Sequence, residues 1–516
     1  METEAVRHAG EGKLAKIRHN QRFARHRGTV LEDFIKDFNS LVWSRPLIWL
    51  CLGAGLYFSL RTRFVQLRQL KEMVRLLLSD KRSEAGVSSF QALAVSLSGR
   101  VGMGNIAGVA TAIGFGGPGA VFWMWIVAFL GASTAYVEST LAQIYKEKDE
   151  DGRYRGGPAY YIEKAMGQKW YAWLFAIVTI IATGFLLPGV QANGIAKGMA
   201  EAFDFKPELV ATVVVVLLGF IIFGGVKRIA RVAEVVVPFM ALAYVLVAMV
   251  IMLLNAELLP QMWLMILKSA FGLDAAFGAV VGLAVEWGVK RGIYSNEAGQ
   301  GTGPHAAAAA EVSHPAKQGL VQAFSVYVDT LLLCTATAFM ILSTGMYNVL
   351  RPDKAGMIVE YLPGIDHEGP AFAQRAVEVI LPGYGAGFVA LALFFFAFTT
   401  LMAYYYMAET NVAYLNRRLH APWLTFVLRL LLLAAVTFGA VRSAEMAWTL
   451  GDIGVGLMAW LNIIAILILQ KPALACLYDY EMQKKAGIEE PQFDPDALGI
   501  KNANFWRERK ASRHAD

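Results

Sequence analysis

The sequence predicts an all-α membrane protein of about eleven transmembrane helices, because apolar runs of about 20 residues recur along the chain. Hydrophobic residues make up 56% of the 516 residues and charged residues only 17%. The three cysteines, Cys51, Cys334 and Cys476, lie in or beside apolar runs, which argues against a disulfide framework or a metal cluster. We therefore expect one helical bundle with short polar ends rather than several soluble domains.

The apolar runs give the predicted membrane spans. They lie near 44–60, 88–113, 119–145, 170–190, 208–225, 232–255, 271–290, 318–345, 384–412, 422–441 and 447–470. Residues 61–87, after the first span, form a basic amphipathic connector. The polar first 40 residues lack the early apolar stretch of a signal peptide.

Lysine and arginine predict the orientation of the chain in the membrane. Basic clusters follow the odd-numbered spans, as at Arg61, Lys146, Lys227, Lys290 and Arg417, and such clusters mark the cytoplasmic side. The amino terminus is then outside and the carboxyl terminus inside. The amino-terminal tail is also basic, which by the same rule would place it in the cytoplasm. We take the later loops to determine the orientation. The net charge of +6 is read as an orientation signal, not as nucleic-acid binding.

A glycine-rich segment, SLSGRVGMGNIAGVATAIGFGGPG at 96–119, falls within the second span. Broken helices are tolerated at membrane depth where they line a cavity, and transporters use them to bind ions and substrates. Without Cβ atoms at Gly102 and Gly104, the backbone amides there and at Met103 can approach a carboxylate. Asn105 offers an oxygen to a hard cation such as Na⁺. The alternative is close helix packing through the GxxxG pair of Gly104 and Gly108.

A second such segment, FGAVVGLAVEWGVKRGIYSNEAGQGTGPHAAAAA at 277–310, lies five spans later. We expect its break near Gly278 and Gly282, where carbonyls would receive a substrate ammonium. Paired glycine-interrupted spans indicate an inverted-repeat transporter, and the odd spacing of five makes the repeats inverted. The predicted divisions are a polar tail at 1–43, the first span and connector at 44–87, repeat one at 88–255, repeat two at 271–470 and a soluble tail at 471–516.

Three motifs resemble one known family. SGRVGMGNIAGVATAIGFGGPGAVFWMW, KRGIYSNEAGQGTGPHAAAAA and FAFTTLMAYYYMAE resemble the alanine or glycine:cation symporters, also called sodium:alanine symporters, over about residues 44–470. The resemblance implies the five-plus-five leucine-transporter fold. It also implies Na⁺-coupled, sometimes H⁺-coupled, uptake of small neutral amino acids such as alanine and glycine. The alternatives are H⁺ coupling or a serine-like or glutamine-like substrate.

The resemblance also implies site residues. Amides of Met103 and Gly104 would bind the substrate carboxylate, and Asn105 would hold a sodium ion. A second sodium would take oxygens from Thr399, Thr400, Ser98 and Val101. Hydroxyl and carbonyl oxygens suit a hard cation. Alternatively, both threonines bond only to their own helix.

The chain departs from the family pattern in the pocket wall. Where the family has Gly-Trp, this sequence has Ala403-Tyr404, so the favoured substrate side chain is open. Gln191 and Asn193 follow a predicted Pro-Gly break near the end of span four, where they reach the substrate or form a polar helix end.

Charged residues inside spans are functional candidates because they are costly in lipid. We expect Asp329 either to complete a cation site, to balance the charge of Arg100 or to make a structural contact. Arg100 points to the inner mouth or pairs with Glu286. Glu286 and Glu138 are proton carriers or braces of the bundle.

Four further polar residues are expected on the inner side. Glu409 follows Tyr404 by a little more than one helical turn and is a candidate gate. Ser295, Asn296 and Glu297 form a candidate polar network that holds the inner gate.

Other function classes fit less well. His305 and His314 lack the spacing of a metalloprotease motif, and a nucleotide-binding phosphate loop is missing, so neither an enzyme nor a primary pump is expected. A channel or a non-transporting amino-acid sensor stays open. We predict a multi-pass protein of a prokaryotic plasma membrane, with a small neutral amino acid and the lipid bilayer as partners. Na⁺ or H⁺ is the co-transported ion, and we expect no cofactor, nucleic acid or protein partner.

Overall fold

The computed structural model describes residues 32–78, 86–150, 152–274, 276–353, 355–365 and 369–513. The described chain is an α-helical bundle with two short hairpins. Eight of its helices are long and apolar enough to cross a membrane: Glu32–Arg61, Gly119–Ile144, Lys169–Phe203, Lys227–Leu254, Pro315–Thr344, Gly385–Leu419, Trp423–Ala440 and Ala444–Lys485. The predicted all-α membrane fold is confirmed, while the count of eleven spans and the inverted repeat stay predictions.

The first half of the chain, through residue 270, contains thirteen described α-helices. They are α1 (32–42), α2 (Arg45–Arg61), α3 (Val65–Arg68), α4 (Leu70–Leu78), α5 (Ser89–Arg100), α6 (Val109–Gly116), α7 (Gly119–Ile144), α8 (Pro158–Tyr161), α9 (Lys169–Ile181), α10 (Leu187–Phe203), α11 (Pro207–Ile222), α12 (Gly225–Leu254) and α13 (Leu259–Ala270). Three π-helical segments extend these helices at Gly104–Gly108, Ile162–Met166 and Ala182–Leu186. The antiparallel hairpin of β1 (Glu147–Lys148) and β2 (Tyr154–Arg155) follows α7.

The second half continues the bundle. Its helices are α14 (Val281–Asn296), α15 (Gly303–Ala309), α16 (Pro315–Val326), α17 (Thr335–Thr344), α18 (Ala371–Ile380), α19 (Gly385–Leu419), α20 (Trp423–Ala440), α21 (Ala444–Lys485) and α22 (Asn504–Arg513). A π-helical segment, Tyr327–Cys334, joins α16 to α17. A second antiparallel hairpin pairs β3 (Asn348–Leu350) with β4 (Met357–Glu360).

The first glycine-rich segment is broken where the sequence predicts. Helix α5 starts with a capping box, in which the side chains of Ser88 and Gln91 each accept the other residue's backbone N–H at 3.1 Å. The helix ends at Arg100, and Val101 is extended, with ψ at 90°. Helical structure then resumes in the π-helical segment that leads into α6.

The second break lies elsewhere than predicted. Gly278 is in a 3₁₀ turn and Gly282 is in the first turn of α14, so the prediction of a break between them is wrong. The actual break separates α14 from α15. Glu297, Gly299 and Gly301 there have φ values of +57°, +86° and +82°, which a right-handed helix cannot contain.

The predicted Pro-Gly break in span four is also absent. The chain is helical from Lys169 through the π-helical segment Ala182–Leu186 to Phe203, and Pro188 lies within it. Because proline has no N–H to donate, the wider π turn just before Pro188 accommodates it without ending the helix. Gln191 and Asn193 are therefore helical rather than at a helix end.

The carboxyl-terminal helix is longer than predicted. Helix α21 continues to Lys485, beyond the predicted start of the soluble tail at residue 471. The chain then folds back onto the bundle, where the Phe493 N–H donates to the Ser313 carbonyl at 3.1 Å. The Trp506 indole donates to the Gln143 carbonyl at 2.8 Å. At the other end, most of the predicted polar tail, residues 1–31, lies outside the described residues, and the proposed domain limits stay predictions.

Candidate functional site

The first break presents two backbone amides that are bonded to side chains. The Gly102 N–H donates to Asn105 Oδ1 at 2.8 Å, and the Met103 N–H donates to Gln191 Oε1 at 3.0 Å. A Cβ atom at Gly102 would lie 2.9 Å from Gln191 Oε1 and would also collide with the Thr400 hydroxyl. Glycine is therefore required where Gln191 and Thr400 approach the break so closely.

The two broken helices touch each other beside this point. A Cβ atom at Gly104 would lie 2.9 Å from the Ser295 Cα in the last turn of α14. Gly104 therefore lets the start of the first π-helical segment pack against the carbonyl end of α14.

The Asp329 carboxylate joins both broken helices. Asp329 Oδ1 accepts from Asn105 Nδ2 at 2.6 Å and from the Ser295 hydroxyl at 3.1 Å. Its Oδ2 accepts from the Thr330 hydroxyl at 2.7 Å. All four side chains are buried. The arrangement is a cluster of oxygens with one formal negative charge, which is the chemistry that a hard cation needs.

The two threonines of α19 differ in position. The Thr400 hydroxyl lies 3.3 Å from the Val101 carbonyl of the first break and 3.0 Å from the Phe396 carbonyl of its own helix. The Thr399 hydroxyl bonds to the carbonyls of residues 395 and 396 and faces Met240 of α12 at 4.0 Å. Ser98 bonds back to its own helix at the Val95 carbonyl. Of these hydroxyls, Thr400 is the one hydrogen-bonded to the first break.

The walls beside the first break are formed by α10, α14 and α19. Gln191 Nε2 lies 3.5 Å from the Tyr294 hydroxyl, and Tyr404 is buried next to both. Asn193 instead donates to the carbonyls of Gly439 and Arg442, at 3.1 and 2.7 Å, near the end of α20. The structure thus brings Gln191 and Tyr404 to the break and directs the Asn193 amide away from it.

Arg100 is buried beside the second break. Its Nη1 donates weakly to the Gln322 carbonyl and side chain, at 3.3 and 3.4 Å, and the carboxylates that influence it are those of Glu297, Glu138 and Asp329. The alternative pairing of Arg100 with Glu286 is not observed, because Glu286 lines a surface groove between α2 and α14.

The remaining acids brace the second break or link neighbouring segments. Glu138 accepts the N–H groups of Gly299 and Gly301, both at 3.2 Å, and Glu297 accepts from the Thr302 hydroxyl at 3.0 Å. Asn296 accepts the Ala298 N–H at 3.0 Å. The contacts of Glu138 and Asn296 satisfy backbone donors that the break exposes, and the contact of Glu297 links the end of α14 to the start of α15.

Glu409, the candidate gate, is held by one arginine. Arg155 of the β1–β2 hairpin makes two hydrogen bonds to it, of 2.6 and 3.0 Å, and a third of 2.9 Å to Asp149. This pair ties the chain after α7 to α19.

Sequence reasoning missed three contacts. Thr330 completes the hydrogen bonds of Asp329, and a hydroxyl adjacent to an intramembrane acid is the signal that could have found it. Asp452 of α21 makes a bidentate pair with Arg291, at 2.8 and 3.0 Å, and contacts Lys290 at 2.8 Å. Asp452 lies inside a predicted span and should have been a candidate on that ground alone.

Comparison with known proteins gives the family. The model of the sodium:alanine symporter family matches residues 28–495. A Bacillus subtilis (strain 168) protein, YrbD, named as a sodium/proton-dependent alanine carrier, is 62% identical over 92% of this chain and 98% of its own length. A carrier of the same description from Bacillus sp. (strain PS3) is 54% identical, over 84% of this chain and 97% of its own. GlnT of Bacillus subtilis (strain 168), named as a sodium/glutamine symporter, is 44% identical, over 92% and 95%.

These similarities confirm the prediction of a multi-pass membrane carrier of a prokaryotic plasma membrane, and not an enzyme. They extend over nearly all of the chain, including both broken helices and the Asp329 cluster. The chain belongs to the sodium:alanine symporter family.

Proposed function

We propose that this protein couples the inward flow of Na⁺ to the uptake of a small neutral amino acid, alanine or glycine, by alternating access. The observation that carries the proposal is the Asp329 carboxylate, which is bonded to Asn105 of the first broken helix and to Ser295 of the second. A cation bound there would contact both elements that rearrange in such transporters. The names of the relatives support alanine as substrate and leave H⁺ as an alternative ion.

The hydrogen bonds of Asn105 suggest how ion and substrate are coupled. Its side-chain oxygen accepts the Gly102 N–H, and its side-chain nitrogen donates to Asp329. A cation at Asp329 attracts the Asn105 oxygen and repels its nitrogen, so the side chain turns. The Gly102 N–H then becomes free for a substrate carboxylate.

The other substrate contacts follow from the same geometry. The Met103 N–H is the second carboxylate donor once Gln191 moves aside, and the first break thereby supplies two adjacent amides. The substrate ammonium lies at the carbonyl end of α14, where the helix dipole is negative. This replaces the earlier expectation of Gly278 and Gly282 as ammonium contacts.

A second cation site is proposed at Thr400, where its hydroxyl meets the Val101 carbonyl across α19 and the first break. Thr399 and Ser98 would join this site only after leaving the carbonyls of their own helices. Because Na⁺ at Thr400 links α19 to the first broken helix, its release would loosen that contact and favour release of substrate.

The orientation is part of the proposal. We place the carboxyl terminus in the cytoplasm and the amino terminus outside, on the basis of the basic clusters at Arg61, Lys146, Lys227 and Arg417. The expected cluster at Lys290 does not contribute, because Lys290 lies within α14 and is bonded to Asp452. Arg155 and Glu409 then lie on the cytoplasmic side and form an inner gate.

Uptake of labelled alanine by purified protein in liposomes tests the proposal. Inward Na⁺ and H⁺ gradients are applied separately, and unlabelled glycine, serine and glutamine serve as competitors. We expect concentrative uptake with Na⁺, inhibited by glycine. Uptake of glutamine instead of alanine would indicate that the pocket beside Tyr404 and Gln191 accepts a polar side chain. Binding without uptake would indicate a sensor.

A substitution at the first break sharpens the test. Asn105→Ala removes the oxygen for the cation and the link to Asp329, and we expect coupled uptake to be lost while the protein still reaches the membrane. Asn502→Ala is the matched control, because Asn502 lies in the carboxyl-terminal tail and bonds to the Lys164 carbonyl. Normal uptake by the Asn105 variant would exclude a ligand role for this residue.

A further inference from the structure

A groove between α2 and α14 is separate from the substrate site. It has a cavity volume of about 470 Å³, and its walls include Arg45, Trp49, Gly282 and Glu286. A Cβ atom at Gly282 would meet no other atom within 4 Å, so the groove is open at this position. The transport mechanism proposed above uses neither Arg45 nor Glu286.

The groove holds one positive and one negative side chain that are not paired with each other. Arg45 and Glu286 both line it, and the structure records no ion pair between these two described residues. Lys290 lies one turn after Glu286 in α14, and its ammonium is bonded to Asp452 at 2.8 Å. An occupant that carries both an anion and a cation would satisfy both sides of the groove.

The exposed face of α2 continues the groove as an apolar stripe. Trp49, Leu56 and Leu60 are 66%, 48% and 57% exposed, and their spacing of seven and four residues places them on one face. A Cβ atom at Gly53, which lies between Trp49 and Leu56, would have no other atom within 4 Å. An open slot therefore runs along α2 beyond Trp49. In a bilayer this stripe meets acyl chains.

The position of Arg45 places the groove at headgroup depth. Arg45 is the first residue of α2, and a helix of 17 residues is about 25 Å long, close to the thickness of the hydrocarbon core. Trp43 lies just before this end, with its indole donating to the Asp452 carbonyl, and tryptophan is enriched at membrane interfaces.

We propose that the groove binds a phospholipid whose headgroup carries a primary ammonium, as in phosphatidylethanolamine. The phosphate lies against Arg45, the ammonium against Glu286, and one acyl chain follows Trp49 along α2. A phosphatidylglycerol headgroup has no cation for Glu286, and the choline of phosphatidylcholine has no N–H to donate. The bound lipid links α2 to α14, the helix that presents Ser295 to the candidate site.

Lipid retention by delipidated protein in detergent tests the proposal. The protein is incubated with an equimolar mixture of phosphatidylethanolamine, phosphatidylcholine and phosphatidylglycerol, and the retained lipids are counted by native mass spectrometry. We expect a preference for phosphatidylethanolamine of about threefold to fivefold, the range for one partly exposed ion pair. E286Q should remove this preference, and R45Q should lower retention of all three phospholipids.

Two further variants keep the test decisive. E445Q is the matched control, because Glu445 pairs with Lys36 near the same end of the bundle but outside the groove, and it should retain the preference. G282L fills the groove from a position with open space and should reduce lipid retention even if E286Q fails to fold.

Three results would overturn the proposal. They are equal retention of the three lipids by unchanged protein, an undiminished preference in E286Q, and displacement of the lipid by millimolar alanine. The last result would identify the occupant as a free amino acid. Since the readout is lipid binding rather than uptake, failure here is distinguishable from failure of the proposed transport function.

Discussion

Replacement of Asp329 by asparagine is the most direct test of the cation site. The carboxylate accepts hydrogen bonds from Asn105, Ser295 and Thr330 at 2.6 to 3.1 Å. Asparagine has nearly the same shape but no charge. It keeps one oxygen and places an N–H₂ group where the second oxygen was.

The expected magnitude follows from the charge that is lost. A cation about 4 Å from a unit negative charge gains about 4 kcal/mol at an effective dielectric constant of 20. The asparagine oxygen recovers part of this interaction. We therefore expect the Na⁺ concentration at half-maximal uptake to rise about 100-fold, which corresponds to about 2.8 kcal/mol.

The assay is the initial rate of labelled alanine uptake into liposomes over a range of Na⁺ concentrations. Thermal unfolding of the variant in detergent checks that the protein is folded. Asp479→Asn is the matched control, because Asp479 bonds to His314 and Gln483 at the end of α21, away from the site. A half-maximal concentration within about threefold of the original value, at an unchanged maximal rate, would refute the role of the carboxylate.

Three further substitutions separate the second cation site from structural contacts. Thr400→Ala should raise the Na⁺ concentration at half-maximal uptake about tenfold, the effect of losing one hydroxyl ligand, and an unchanged value would remove Thr400 from the ion site. Asp452→Asn should lower the free energy of unfolding by about 3 kcal/mol, measured in detergent, because the buried guanidinium of Arg291 loses its carboxylate; an unshifted midpoint would contradict this. Trp506→Ala should lower the free energy of unfolding by about 3 kcal/mol in the same experiment, because the buried indole loses its packing and its hydrogen bond to the Gln143 carbonyl. Trp506→Phe should recover the packing but not the hydrogen bond, and equal stability of both variants and the unchanged protein would contradict the docking of the tail.

The first break was predictable because its chemistry is local. Gly102, Gly104 and Asn105 occur within four residues in a span, and the polar side chain beside the glycines favours an exposed backbone over close helix packing. The contacts of these residues with Ser295 and Gln191 come from distant parts of the chain. They could be assigned only once the helices were packed.

The second break was misplaced because glycine has two opposite roles in helices. A Cβ atom at Gly288 would lie 2.5 Å from the Ala120 carbonyl, so that glycine allows α14 to pack closely against α7. The helix ends instead at Asn296, and the next residue, Glu297, is a non-glycine residue with a φ of +57°. Composition alone does not distinguish a glycine that packs from one that breaks a helix, and no local pattern predicts a glutamate in the left-handed region.

The partners of buried charges were the least predictable part of the site. Arg100 and Glu286 both lie in predicted spans. Arg100 is buried beside the second break, whereas Glu286 lines the groove between α2 and α14. Glu138 looked like a possible proton carrier, and it accepts two backbone N–H groups of the second break. The sequence identifies such residues as costly in lipid, whereas their partners depend on the three-dimensional arrangement of five or more helices.

In the proposed mechanism, the coupling of ion to substrate would follow from the orientation of the Asn105 side-chain amide. Its nitrogen donates to Asp329 and its oxygen accepts the Gly102 N–H, so the side chain must turn before the oxygen can reach a cation at Asp329. The protein groups of the site satisfy one another, since the carboxylate has three donors and the Gly102 amide has an acceptor. A cation alone would strand the Gly102 N–H, and a substrate carboxylate alone would compete with the Asn105 oxygen. Together they would satisfy every group, so under the proposed mechanism each ligand would strengthen the binding of the other by the same factor, as a coupling free energy requires.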